Sequence, residues 1–288
     1  MWMVYALIAT VGFGMRGILY HWTSQRRLDR NLMLCGVFTT GMVVSLFAGL
    51  TAGQKWSAPA LIGIVMGMFS FASNASLYRG FAVGKASLVA LLSGLAPAVV
   101  VLLAYFQWGE TLTAPQWAAF GLLLAGVVLI RYSNDISLNN LQGAHWGLAA
   151  MLCFAVTDIA SKQSTLAGAD PFPTLFFMFL TGSALFAASW AVSRRRHAAF
   201  SGAPVHGAAG QIAASAEAGG WSGKKTFLWG MTVGLTNVWG MIFILQAFAV
   251  GVTGLVSAVV SMNILLILAY SRLVVKIPFK PMEIAGMA

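Results

Sequence analysis

LIGIVMGMFSFASNASLYRGFAVGKASLV, residues 61–89, returns 167 residues later as LWGMTVGLTNVWGMIFILQAFAVGVTGLV, residues 228–256. Leu61, Gly63 and Gly67 fall on Leu228, Gly230 and Gly234, Phe81-Ala82-Val83-Gly84 falls on Phe248-Ala249-Val250-Gly251, and Leu88-Val89 falls on Leu255-Val256. Nine of 29 aligned positions are identical, several-fold more than shared apolar composition gives. Each copy reads as a helix with a GxxxG face, a FAVG turn and a second helix. Small residues at that spacing let helices approach closely in lipid.

Composition identifies the solvent. The 288 residues carry 24 charged side chains (17 Lys+Arg and 7 Asp+Glu), where a soluble chain of this length carries about 72. With 59% hydrophobic residues and a mean hydropathy of +0.82, the chain has more apolar surface than a water-facing protein can bury. The fold class is an all-α polytopic membrane protein. A net charge of +10 does not imply nucleic acid here, because membrane proteins collect Lys and Arg in their cytoplasmic connections. Cys35 and Cys153 lie in apolar runs without a CxxC partner, so no disulfide framework or thiolate metal site is expected.

Apolar stretches long enough to span the bilayer lie at 1–20, 32–52, 59–80, 87–107, 116–131, 144–162, 172–192, 226–247 and 253–271. A tenth begins at Pro281 and runs to residue 288, about 12 Å of helix at 1.5 Å per residue, so it is expected to be truncated. The expected units are a first repeat over 1–131 and a C-terminally incomplete second repeat over 143–288. Residues 193–225, rich in Gly, Ala and Ser, are expected to be a mobile cytoplasmic loop.

Charge placement gives an orientation. Of the 17 basic residues, 14 fall in the odd-numbered connections between spans and only Lys55 and Lys162 in the even ones, which places the odd connections in the cytoplasm and the N-terminus outside. With about five spans per copy, the second copy then lies upside down relative to the first. Inverted repeats are the architecture of secondary transporters, with a substrate site near the midplane between the halves.

Within residues 77–130 stand Gly84-Lys85-Ala86-Ser87, a mid-span Pro97, Gly109-Glu110 at a helix end, and Gly121 with Gly126 in a final helix. This pattern resembles the EamA-type half of the drug/metabolite transporter superfamily. The second half departs from it, with Asn263 near the place of the proline and Lys276 in place of the glutamate. The resemblance implies ten helices in two inverted five-helix units and transport of small organic solutes, often outward. It also implies both termini in the cytoplasm, opposite to the charge count.

Ionisable groups inside a membrane span are functional suspects. Arg16 lies in the first span, and Asp158 and Lys162 in the sixth share one helix face by their i, i+4 spacing. A second tier comprises Asn74, Tyr78 and Arg79 in or beside the third span, Asn237, Trp239 and Gln246 on the eighth, and Asn263 on the ninth. These supply hydrogen bonds and stacking for a solute, although Asn and Gln also join membrane helices structurally. Glu110 is expected to order a helix end rather than to carry protons.

Other motifs carry no chemistry. Gly12-Phe-Gly14-Met-Arg-Gly17 fits GxGxxG but lies within a span and follows no strand, so its glycines are expected to permit close packing. His21, His145, His197 and His206 lack metal-ligand spacing, and no catalytic cluster or Walker motif occurs. The expected function is therefore not enzymatic and needs no metal or cofactor. It is secondary transport by alternating access of a small metabolite such as an amino acid or drug-like solute, outward across the inner (cytoplasmic) membrane. Asp158 is the candidate for proton coupling, and a homo-oligomer is left open. The alternative is a non-transporting membrane scaffold that binds a partner through its GxxxG faces.

Overall fold

The computed structural model describes residues 1–24, 26, 28–83, 86–131, 141–201 and 221–274. Its helices are α1 (Trp2–Ser24), α2 (Arg30–Thr51), α3 (Ile62–Val83), α4 (Ala86–Gly94), α5 (Ala96–Trp108), α6 (Ala114–Arg131), α7 (Ala144–Leu166), α8 (Pro171–Ser201), α9 (Gly223–Val250), α10 (Thr253–Ser261) and α11 (Asn263–Leu273). Among the described residues there is no strand. Among the described residues eight segments are long and apolar enough to cross a membrane, and Ala114–Ile130 of α6 is a shorter apolar helix. The tenth helix expected after Pro281 lies outside the described residues.

The outer surface confirms the solvent. Phe106, Leu122, Phe47 and Leu235 are 80%, 75%, 63% and 57% exposed, which water would penalise and hydrocarbon does not. Helix ends follow local chemistry. Asp29 caps α2 by accepting from the Asn31 and Leu32 amides, Ser222 caps α9 by accepting from Lys225 N, and Gly109 at φ 66° closes α5 in the left-handed region.

The expected loop at 193–225 is shorter than the composition suggested. Helix α8 continues through Arg194, Arg195 and Arg196 to Ser201, and α9 begins at Gly223. Arginine and alanine are strong helix formers, and a helix already nucleated in the span adds them readily. The middle of that segment, 202–220, lies outside the described residues.

The duplication reaches single hydrogen bonds. Helix α4 ends at Gly94, α5 starts at Ala96, α10 ends at Ser261 and α11 starts at Asn263, each pair being separated by the same 167 residues. At the first break Leu95 N donates to Leu92 O and Ala98 N to Leu95 O. At the second, Met262 N donates to Val259 O and Leu265 N to Met262 O, the same two i→i+3 bonds shifted by 167. Pro97 accounts for the first interruption; the second forms without a proline.

The two halves of the chain also meet by exchange. A side chain at Gly41 of α2 would strike Phe179 of α8, and one at Gly182 of α8 would strike Phe38 of α2. The Phe38 and Phe179 rings pack edge to face with centroids 5.6 Å apart. Likewise Gly63 and Gly67 of α3 lie against the carbonyls of Thr174 and Met178, while Gly230 and Gly234 of α9 lie against those of Met33 and Val37. Contact of i with j repeated as j with i is the mark of a two-fold arrangement. As α2 runs from Phe38 to Gly41 its partners run from Gly182 back to Phe179, so α2 and α8 are antiparallel at this contact.

The GxxxG faces are thus consumed inside the chain and are not free for a partner, contrary to the scaffold reading. Replacing Gly67 by leucine places a side chain on the Met178 carbonyl. Backbone cannot yield as a side-chain tip does, so loss of the folded monomer peak in detergent size exclusion is expected, whereas Gly121→Ala, in a helix with open space around it, keeps that peak.

Candidate functional site

Each broken helix is braced by a helix from the other half of the chain. Helix α1 crosses the second break: Thr10 Oγ1 donates to Val259 O of α10, while Gly14 and Gly17 pack on Leu266 and Ile267 of α11. Helix α7 crosses the first: Gly147 packs on Val89 and Leu92 of α4, and Ala155 and Ile159 join Val100 and Ala104 of α5 in a buried cluster. The glycines of the rejected GxGxxG therefore serve close packing, Gly12 lying against the Gly240 backbone and Trp239. Helices interrupted at corresponding places in two halves are the structural pointer to a transporter binding site, because they free backbone polar groups near the midplane.

Both bracing helices carry an ionisable residue at the same level. Helices α1 and α7 each contain 23 residues, and Arg16 and Asp158 are the fifteenth of each. Arg16 donates to Asn237 Oδ1 of α9, and its guanidinium lies over the rings of Phe13 and Tyr20 at 4.7 and 5.8 Å. Arg30 lies over the ring of Tyr78 on α3 at 5.2 Å. Asp158 accepts from Ser257 Oγ of α10 at 2.6 Å. Arg16 and Asp158 thus contact uncharged partners among the described residues.

Asp158 and Lys162 share a face but do not form a pair. Lys162, buried, donates to Phe248 O at 2.7 Å and Gly251 O at 2.9 Å, and its Nζ lies 3.6 Å from Glu110 Oε1. This is the one ion pair among the described residues. Glu110 in turn accepts from Thr253 N and Thr253 Oγ1 at 2.9 and 3.0 Å. The ammonium therefore sits on the carbonyl end of α9 and the carboxylate on the amide end of α10, each where the helix dipole favours it. Lys162 spends two donors on these carbonyls and turns its charge to Glu110, so among the described residues it acts as a latch between helix ends. Glu110 orders a helix end, in line with its reading from sequence.

The remaining candidates scatter. Asn74 donates to Ser70 O of its own helix, Arg79 is exposed, and Trp239 is 52% exposed against Phe243. Gln246 and Asn263 are partly buried, Asn263 opening α11 at the second break. Structure thus brings together Arg16 and Asn237, places Tyr78 under Arg30, and adds Phe13, Tyr20 and Ser257, which the sequence did not single out. No group of three metal-ligating side chains occurs among the described residues.

Residues 1–132 match the EamA-like transporter family. The pattern read in 77–130 lies inside that EamA-like segment. An uncharacterized protein of Methanocaldococcus jannaschii is 41% identical to this chain over 58 residues, which are 20% of this chain and 42% of that protein. The chain thus spans about two fifths of the length of the curated relative it matches. A crystal structure of another protein superposes with a TM-score of 0.71 at 16% identity, covering 99% of this chain and 92% of that one, a likeness of fold alone. The EamA-like match thus covers the first 132 residues, and the eight membrane-length apolar helices among the described residues make the chain a multi-pass membrane protein.

Proposed function

We propose that the protein is a secondary transporter that exports a small organic metabolite, such as an amino acid or drug-like solute, across the cytoplasmic membrane by alternating access between two inverted units. The observation that carries this reading is the pair of helix breaks at Leu95 and Met262, identical in hydrogen bonding and each braced by a helix bearing Arg16 or Asp158. The antiparallel exchange of α2 and α8 supports inversion, since a two-fold axis lying in the membrane reverses the direction of equivalent helices. Arg16 offers a planar, permanently charged donor to a carboxylate, with the Phe13 and Tyr20 rings beside it for an apolar body. Overexpression is expected to raise resistance to a toxic amino acid analogue and deletion to lower it. The reverse pattern would mean import.

Asp158 is the proton-coupling candidate. Its side chain faces Ser257, and no cation lies within ion-pair distance among the described residues. Asp158→Asn keeps the size and the hydrogen bond while removing the titration. Transport by reconstituted wild-type protein is expected to respond to an imposed pH gradient and transport by the variant is not. An unchanged response in Asp158→Asn removes this residue from coupling.

A further inference from the structure

At the start of α9 a cavity of about 360 Å³ is lined by Trp221, Ser222, Lys224, Lys225, Trp229 and residues one and two turns further on. It lies far along α9 from the breaks and takes no part in the transport reading. Three tryptophans converge beside it: Trp22 packs on Trp229 and Trp221 with ring centroids 4.9 and 6.0 Å apart, and Trp221 packs on Trp229 at 5.9 Å. Cations rest on the same rings. Arg26 lies 4.0 Å over Trp22, and Lys225 lies 4.6 Å over Trp221. The Trp229 indole N–H is buried without a hydrogen-bond acceptor.

Aromatic rings with one polar edge settle at the level of lipid headgroups. Lys224 and Lys225 line the cavity with no acidic side chain among its lining residues, and Arg26 lies over the adjoining Trp22 and Trp221 rings, so the site is electropositive. From its rim Leu228, Leu235 and Trp239 follow one another at helical spacing along α9, 51%, 57% and 52% exposed, and form an apolar track into the membrane. A headgroup pocket that opens on an apolar track fits an amphiphile with an anionic head and a hydrocarbon tail.

We infer that this cavity binds the headgroup of an anionic phospholipid, with Arg26, Lys224 and Lys225 facing its phosphate, the tryptophans walling it and the acyl chain lying along the exposed face of α9. The cations are the residues the charge count places on the cytoplasmic side, where anionic lipid attracts basic residues near the surface.

The test is thermal unfolding of the full chain in detergent micelles with added lipid. Phosphatidylglycerol is expected to raise the midpoint, phosphatidylcholine is not, and 10 mM inorganic phosphate is not. Removing two cations in Lys224→Gln/Lys225→Gln should weaken the phosphatidylglycerol dependence on the order of tenfold or more in lipid concentration, about fivefold per charge. Both side chains are exposed, so the double variant is expected to fold as the wild type does. Equal stabilisation by phosphatidylcholine, an equal response to phosphate, or an undiminished phosphatidylglycerol response in the double variant each overturns the inference. Arg26→Gln, on a separate connection, should weaken the dependence as well. If the double variant fails to fold, Arg26→Gln decides by the same readout.

Discussion

Arg16→Gln is expected to lower transport efficiency for a carboxylate-bearing solute by about ten- to a hundredfold while leaving the fold intact. A hydrogen bond to a charged group is worth about 1.5–3 kcal/mol, and each 1.4 kcal/mol is a factor of ten. Glutamine retains a donor for Asn237 Oδ1, so the α1 to α9 contact survives and the loss reports the missing charge. Arg16→Lys keeps the charge but not the planar fork, and it should recover only part of the activity. The check is initial uptake into proteoliposomes with matched thermal midpoints for the three proteins. Equal rates for Arg16→Gln and wild type would remove Arg16 from the solute site.

Lys162→Met is expected to act on stability before transport. Removing one partner of a buried pair costs about 3–5 kcal/mol, because the remaining charge is left uncompensated. Glu110 is 23% exposed, so the lower end of that range applies. The methionine fills the stem's volume but leaves the carbonyls of Phe248 and Gly251 without their donor. A fall in the thermal midpoint in detergent is the readout. Glu110→Gln added to Lys162→Met should recover part of it, since the amide still accepts from Thr253 and carries no charge. A midpoint unchanged by Lys162→Met would show that the latch does not hold α9 to α10.

The sequence shows the class, the spans and the duplication because each depends on local composition or on identities at one offset. The second break at Met262 has no proline, and only its position 167 residues after Leu95 points to it. The α2 to α8 exchange is also written in the sequence, as Leu34, Phe38, Thr40 and Gly41 recurring in Leu175, Phe179, Thr181 and Gly182. That correspondence sits at an offset of 141, so a search at 167 passes over it; the 26-residue difference accumulates between α8 and α9.

The site was less legible. Helices α1 and α7 share only Thr23 and Thr165 in register, so nothing in the residues aligns Arg16 with Asp158 until helix ends are known. Spacing alone also does not show which groups Lys162 reaches. An i, i+4 acid and base can meet on a helix surface, yet the lysine reaches the carbonyls that end α9, acceptors contributed by a helix about 86 residues away in sequence. Trp239 and Arg79 show the converse limit, since their types suit a solute site while their helix faces turn them outward.

The central claim is that this chain alone carries a solute between two sides of a membrane. Counterflow tests it most directly: proteoliposomes of the purified protein are loaded with an unlabelled amino acid, diluted into a trace of the labelled one, and followed in time. For a solute that it carries, the account predicts a transient accumulation of label above the equilibrium level, lost in Arg16→Gln. Label no higher than in protein-free liposomes, across neutral, acidic, basic and aromatic amino acids and drug-like cations, would contradict it.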